Sequence, residues 1–322
     1  MALDASWVGH RVVVRYLLDD PDPRATDVLG TLVSFDDAGL AVLADRADHG
    51  LVQVPRERIV AGKPVPPRTD TLLRMRPERL QRICDAGWPA LEVEQLGQWR
   101  LRAANGFTGR ANSVLTAGEP GLPLREALAR VQRFYTERGL PPLVQVVIGS
   151  DLETALAGAG WRIGRYREGV LVQVADIAAG RRTCATGDET PVELSGTLSA
   201  GWAALYGRAG GYDDDTVARV LTGPDLVALA SVGDPLIAIG RGAVAGGWLG
   251  LAAVEVEPEH RRKGVAQRVV DRLLAWGVER GARSAYLQTM PDNAAAIALY
   301  RPYGFVTHHR YRFWVPGDRA AP

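Results

Sequence analysis

The apolar positions of this chain recur with two different periods, and the period changes along its length. Short β-rich runs dominate the first stretch: Val12–Val14, Leu29–Phe35, Leu40–Leu43 and Leu51–Val54. Turn-forming runs at Asp19–Pro23 and Asp36–Gly39 punctuate them. So many short strands in so few residues predict a small SH3-like all-β barrel over residues 1–68. The run Gly62-Lys63-Pro64-Val65-Pro66-Pro67 predicts an extended linker, since proline neither donates to a ladder nor coils freely.

From about residue 71 the period lengthens. Leu124, Leu128, Val131, Phe134 and Tyr135 share one helical face, so a helix is predicted over 124–138, ending at Gly139. Further helices are expected over 76–86 and 151–159, with strands over 91–104, 111–116 and 143–148. Small and polar residues over 180–190 predict a second linker. Beyond it, a helix over 198–221 is expected to break at Gly207–Gly211. Strands are expected over 226–232, 236–240, 248–256, 284–288 and 310–315, and a helix over 292–300. Between the strands lies the strongest helix, Gly264–Arg280, with Val265, Val269, Leu273 and Trp276 down one side.

Residues 71–180 and 191–322 share an order of elements: strand, loop, helix ending in Glu-Arg-Gly, strand, helix, then Gly-Trp or Gly-Phe. A duplication is predicted, giving three domains: 1–68, 71–180 and 191–322. The loop before the first copy's long helix, Gly118–Pro123, holds Pro120 and Pro123, which offer no N–H. Its counterpart between Glu259 and Ala266 has no proline. Only the later loop is well equipped to bind an anion.

Composition narrows the class. The 322 residues carry a net charge of +1, with 47% hydrophobic and 23% charged residues. That excludes a disordered chain and a basic field for nucleic acid. Cys84 and Cys184 are too few for a disulfide framework. No apolar run approaches the ~20 residues of a membrane helix, and Met1–Val14 has no leader pattern. A reduced, cytoplasmic protein without membrane partners is expected. The five histidines show no zinc spacing, so no metal is expected, and His308-His309 is expected as a surface pair on a strand. Gly240–Ala245 spells a dinucleotide-binding pattern, but a strand rather than a helix is predicted to follow, so it is set aside.

Two segments carry chemistry. In the first, a β-branched strand, Val254-Glu255-Val256, leads through Glu257-Pro258-Glu259-His260 and Arg261-Arg262-Lys263 into a helix opening at Gly264-Val265-Ala266. Unpaired amides, the positive end of a helix dipole and three cations meet there, an arrangement suited to a phosphate group. In the second, Asn293 opens an alanine-rich helix that reaches Tyr300 two turns later and then Pro302 and Gly304-Phe305.

Together these segments resemble the GCN5-related N-acetyltransferase family. Arg261, Gly264 and Ala266 match its pyrophosphate motif, and Asn293, Tyr300 and Gly304-Phe305 match its later motif. The resemblance is specific over residues 248–306. It implies an acyl-CoA N-acyltransferase fold, here duplicated with a degenerate first copy, and transfer of an acetyl group from acetyl-CoA to a small-molecule or peptide amine. It implies that the backbone of Val254 and Val256 pairs with the pantetheine arm. Amides from Arg262 through Lys263, Gly264 and Val265 to Ala266 would hold the pyrophosphate, and Asn293 would contact the cofactor. Tyr300 would protonate the departing thiolate, and the Val256 amide would polarise the thioester carbonyl. Some members carry a glutamate base on the central strand. The matching place here is near Gly250, leaving Glu255 as the catalytic carboxylate considered, with Glu257 beside it. Pro302 is expected to end the helix near Tyr300. Asp213–Asp215 could attract a cationic amine but read more readily as a helix cap. Two alternatives stand beside this reading: a non-catalytic acyl-CoA-sensing or partner-binding module, and acetylation of the mycothiol-synthase kind, from which the N-terminal β domain departs.

Overall fold

A computed structural model describes residues 3–19, 24–45, 50–65, 68–164, 166–177 and 190–317. The chain divides into two compact units, the second beginning at Met75. The predicted 180–190 linker lies almost wholly outside the described residues, as does Cys184.

The first unit is an antiparallel sheet of β1 (Arg11–Leu17), β2 (Ala25–Phe35), β3 (Gly39–Ala44), β4 (Leu51–Pro55) and β5 (Ile59–Pro64), followed by α1 (Arg68–Leu73). Its order is β4-β3-β2-β1-β5, so the fifth strand returns to pair with the first. Alternate positions of the strands, Val12, Val14, Val28, Leu32, Val42 and Val54, form its core. The linker expected over 62–67 is corrected: Gly62, Lys63 and Pro64 belong to β5, with Val12 opposite Pro64. Among the described residues β5 pairs only with β1, and an edge strand can carry a proline that a central strand cannot.

The second unit is built around one long sheet. In chain order its elements are α2 (Pro77–Ala86), β6 (Glu92–Leu96), β7 (Trp99–Ala103), β8 (Val114–Leu115), α3 (Leu124–Thr136), β9 (Val144–Val147), α4 (Asp151–Gly158), β10 (Trp161–Ile163) and β11 (Val170–Asp176). There follow β12 (Val192–Ser195), α5 (Ala200–Leu205), α6 (Asp214–Thr222), β13 (Leu226–Val232), β14 (Ala238–Ala245), β15 (Trp248–Val256), α7 (Val265–Glu279), β16 (Ser284–Thr289), α8 (Ala294–Tyr300) and β17 (Val306–Pro316). The strand expected over 91–104 is a hairpin, turning at Gly97 with φ +57. That over 111–116 shrinks to two residues.

The strand order is β12-β13-β14-β15-β16-β11-β17-β9-β8-β7-β6, with β10 on β17. The two halves exchange their last strands. β11, from the first half, pairs antiparallel with β16, from Leu171 opposite Thr289 to Asp176 opposite Ser284. β17, from the second half, pairs antiparallel with β9, Tyr311 opposite Val147. The duplicated element order therefore yields one continuous sheet rather than two adjoining ones. α7 packs its Val265, Val269, Val270, Leu273 and Trp276 face on one side of the second half. α3 does the same in the first half through Leu128, Val131, Phe134 and Tyr135.

The expected surface pair at His308 and His309 is corrected, for both side chains are partly buried. His309 Nε2 meets Gln81 Nε2 at 2.6 Å, and the two rings bond through their Nδ1 atoms at 2.8 Å. Burial, with the His308 charge adding to it, pushes His309 down to about 3. His309 is thus neutral in the fold and takes up a proton on unfolding below its ordinary 6.5. Its contribution to stability is complete above pH 6.5 and is lost as pH falls toward 3. The expected slope for this one group approaches about 1.4 kcal/mol per pH unit. Urea midpoints at pH 7 and pH 5 for wild type and His309→Gln check it; the variant should show the shallower acid loss.

Candidate active site

A parting in the sheet creates the site. β15 and β16 run parallel only from Trp248 opposite Ser284 to Leu251 opposite Leu287. Beyond Leu251, β15 stays with β14 and has no ladder partner on its other side among the described residues. A bulge steers it: Arg241 faces Ala252 and Ile239 faces Glu255, so Ala253 and Val254 share Gly240. Ala253 takes φ +52 to make the bend. Glu257 N–H donates to Ile237 C=O at 2.9 Å, which turns residues 255 and 257 toward β14. By alternation, the amides and carbonyls of Val254 and Val256 face the opening. The Val256 carbonyl accepts from Arg261 Nε at 3.0 Å, which ties the following turn to the strand.

That turn leads into α7. Pro258–His260 forms one tight turn, then Arg262 takes φ +64 and Gly264 φ +80. Arg261 before them is extended, so the chain bends sharply between the strand and the helix. Gly264 is the residue preceding α7, and the first-turn amides of Val265, Ala266 and Gln267 have no partner within the helix. No acidic residue occupies that turn, while Arg261, Arg262 and Lys263 are exposed around it.

Asn293 caps α8, its Oδ1 accepting from Ala296 N–H at 3.0 Å. The expected cofactor contact is therefore left to its amide nitrogen. Asn293→Ala is expected to cost about 1 kcal/mol of stability through the lost cap, readable as a lower urea midpoint. Tyr300 closes α8 as expected, and Pro302 continues the chain as a tight turn. Tyr300 is only 5% exposed, its ring edge-on to Phe305 at 5.4 Å. Its hydroxyl has no hydrogen-bond partner among the described residues, and burial pushes the phenol above its ordinary range.

The other face of the same strands carries a second set of groups. The Glu255 side chain shares that face with Ile239, opposite the α7 core. Tyr206, at the end of α5, lies beside it; burial raises its phenol, the Glu255 charge adds to this, and Arg110 and Arg208 oppose it. Gly250 explains why no glutamate stands at the family's usual position. A side chain there would collide with the Tyr286 hydroxyl, and one at Gly87 would do the same from the opposite wall. Tyr286 thus fills a slot between two glycines and reaches Cys84 C=O at 3.4 Å. Gln288 Oε1 accepts from the Tyr311 hydroxyl at 2.7 Å. α2, Trp88 and the loop 104–112, all from the first half, cover this face. Asn112 folds that loop, accepting from the amides of Ala104 and Gly106 and donating to the carbonyls of Phe107 and Thr108. Tyr206, Tyr286, Arg110 and Arg241 had no place in the sequence reading. One signal existed for Arg241: an arginine in a strand of small residues, on the face of Ile239. Cys84 is no nucleophile, since burial pushes its thiol up to about 12. Asp213 caps α6 through Thr216 N–H at 2.9 Å.

The first half offers no equivalent of the anion loop. Glu119 N–H is taken by Gln98 Oε1 at 2.9 Å, and Gly118 C=O accepts from Trp99 Nε1 at 2.7 Å. Thr116 Oγ1 donates to Gln145 C=O at 2.7 Å, fastening β8 to β9 where a parting would be needed. A groove of about 450 Å³ between α3 and α4, lined by Pro123, Leu124 and Ala155 among others, remains, and Pro123 at its edge offers no N–H.

A mixed sheet parting at two central parallel strands, with a phosphate-type turn into the helix packed behind it, defines an acyl-CoA N-acyltransferase fold. The GCN5-related N-acetyltransferase from Kribbella flavida superimposes with a TM-score of 0.56 at 17% identity, covering 76% of this chain and 96% of that one. A family model described as "Probable histone acetyltransferase Rv0428c C-terminal" matches residues 78–314, and one described as "Rv0428c N-terminal Sm-like domain" matches residues 6–63. The chain belongs to this family of GCN5-related N-acetyltransferases, preceded by an Sm-like β domain. Among its relatives, the uncharacterized N-acetyltransferase YobR of Bacillus subtilis is 29% identical over 73% of this chain and 97% of its own length. The probable histone acetyltransferase Rv0428c of Mycobacterium tuberculosis is 28% identical over 96% of each. No helix among the described residues is long and apolar enough to cross a membrane.

Proposed function

We propose that this N-acetyltransferase moves the acetyl group of acetyl-CoA directly to a primary amine, at the parting of β15 and β16 in the second half. One observation carries the reading: the outward amides of Val254 and Val256 run on into the amides from Arg262 to Ala266. An extended thioester arm ending in a diphosphate needs that sequence of donors. Val254 and Val256 pair with the arm as an added strand. Arg262, Lys263, Gly264, Val265 and Ala266 receive the diphosphate, while Arg261 holds the turn against the strand through Val256. The Asn293 amide nitrogen faces the cofactor from the start of α8.

The amine enters neutral, with its lone pair free. Glu255, partly buried and without a hydrogen bond or ion pair among the described residues, takes the proton that the ammonium sheds. The nitrogen attacks the carbonyl carbon, whose oxygen is held by the Val256 amide. The C–S bond then breaks, the thiolate takes the Tyr300 proton, and the proton that the nitrogen loses on becoming an amide returns through solvent to the Tyr300 phenolate. Calorimetry with acetyl-CoA, followed by a free-thiol assay over an amine panel, tests this. Binding with acceptor-dependent CoA release is the expected result. Absence of binding at millimolar ligand overturns it, and binding without release from any amine favours an acyl-CoA-sensing module instead.

A further inference from the structure

The face that would receive the acceptor holds more positive charge than its surroundings compensate. Arg110 and Arg241 stack on the same indole, with guanidinium carbons 4.2 and 4.8 Å from the Trp88 ring centre. Arg241 is 1% exposed. Its Nε donates to Leu221 C=O at 2.6 Å and its Nη1 to Gly87 C=O at 3.0 Å, but its Nη2 has no partner. No carboxylate among the described residues pairs with it, and burial pushes it down to about 10. Arg110 is partly buried and makes no hydrogen bond or ion pair among the described residues, so its five donors are unspent. Its charge bears on Tyr206, Tyr286, Tyr311 and Arg241 together, which puts it centrally on this face. Asp85, the buried carboxylate among the described residues, is committed to Arg100 at 2.8 Å and Arg102 at 2.7 Å. Two like charges on one ring repel and cost desolvation, a cost that an arriving anion would offset. The charge of Glu255 also bears on Tyr206, and Glu255 suits the ammonium end.

We propose that the amine acetylated here also carries an oxyanion on the same small molecule, and that Arg110, supplied by the first half of the chain, selects it. The inference rests on the acetyl-transfer reading above. Planar, bidentate recognition of a carboxylate or phosphate is what a guanidinium held over an indole can give. A lysine within a basic protein tail, the acceptor suggested by the name of the mycobacterial relative, would meet repulsion at the same place.

The test uses the full chain and matched acceptors: β-alanine against β-alaninamide, phosphoethanolamine against ethanolamine, and a lysine-rich basic peptide. Free-thiol release gives kcat and KM, and calorimetry gives acetyl-CoA binding separately. In at least one pair the anionic member should exceed the neutral one in kcat/KM by about 30-fold. The pair that responds distinguishes carboxylate from phosphate. Arg110→Gln should raise KM for the anionic member by a similar factor, with kcat, the neutral member's KM and acetyl-CoA affinity unchanged. Arg110→Lys should restore part of the loss. Equal or better turnover of the neutral members and the basic peptide overturns the proposal, as does an Arg110→Gln variant whose preference persists. Acetyl-CoA binding without any advantage for the anionic members overturns it while sparing the acetyl-transfer reading. No acetyl-CoA binding at all removes that reading first, and this one with it.

Discussion

Replacing Tyr300 with phenylalanine is expected to lower kcat by about 100-fold, the usual worth of a positioned proton donor, with acetyl-CoA affinity nearly unchanged. The phenol's environment sets both halves of that expectation. Burial is the cause that raises Tyr300 above its ordinary 10.0, so it holds its proton through the neutral range and can give it to a thiolate. Because the shift is upward, alkaline loss of activity through Tyr300 should begin only above pH 10. The hydroxyl has no partner among the described residues, so removing it leaves none of their donors or acceptors stranded, and stability should hold or rise slightly. The ring's packing against Phe305 survives in phenylalanine. Steady-state kinetics, calorimetry and a melting curve together check the claim. Unchanged kcat would remove Tyr300 from the chemistry; a large fall in acetyl-CoA affinity would make it a binding residue.

The parts of this site that lie within one stretch of chain were legible before the fold was known. The turn into α7 announces itself because glycine, small residues and cations cluster at a helix start, and Pro302 ends α8 for reasons local to its own ring. The amphipathic faces of α3 and α7 are equally local. Three kinds of feature were hidden. Edge position is one: Pro64 reads as a linker residue until the strand beside it is known to have a free side. A short turn inside an alternating run is another, which is why Gly97 passed unnoticed between β6 and β7. The third is partnership across the chain. β11 is an ordinary apolar run that received no assignment, and nothing in Val170–Asp176 indicates that it inserts between β16 and β17. The acceptor face suffers the same way, since Trp88 and Arg110 belong to the copy whose own anion loop is spent.

The same exchange predicts that the second half cannot stand without the first. β16 has β15 on one side only as far as Leu251, and β11 on the other for six consecutive pairs. Without β11 the strand next to the opening would lose most of its ladder, and the buried β16 residues Ala285, Tyr286 and Leu287 would lose the neighbour that pairs with them. Residues 191–322 expressed alone should therefore give no cooperative melting transition and no acetyl-CoA binding, although every residue assigned to the cofactor is present. A single substitution makes the point in the intact chain. Val172 is fully buried on β11, opposite Gln288 on one side and His309 on the other. Val172→Asp would bury a carboxylate there and should cost about 4 kcal/mol or more. The loss should appear as one transition for the whole second unit, with acetyl-CoA binding disappearing at the same denaturant concentration as secondary structure. If 191–322 folds alone and binds acetyl-CoA as the full chain does, β11 is dispensable packing. The retained first copy would then owe its place to the acceptor face alone.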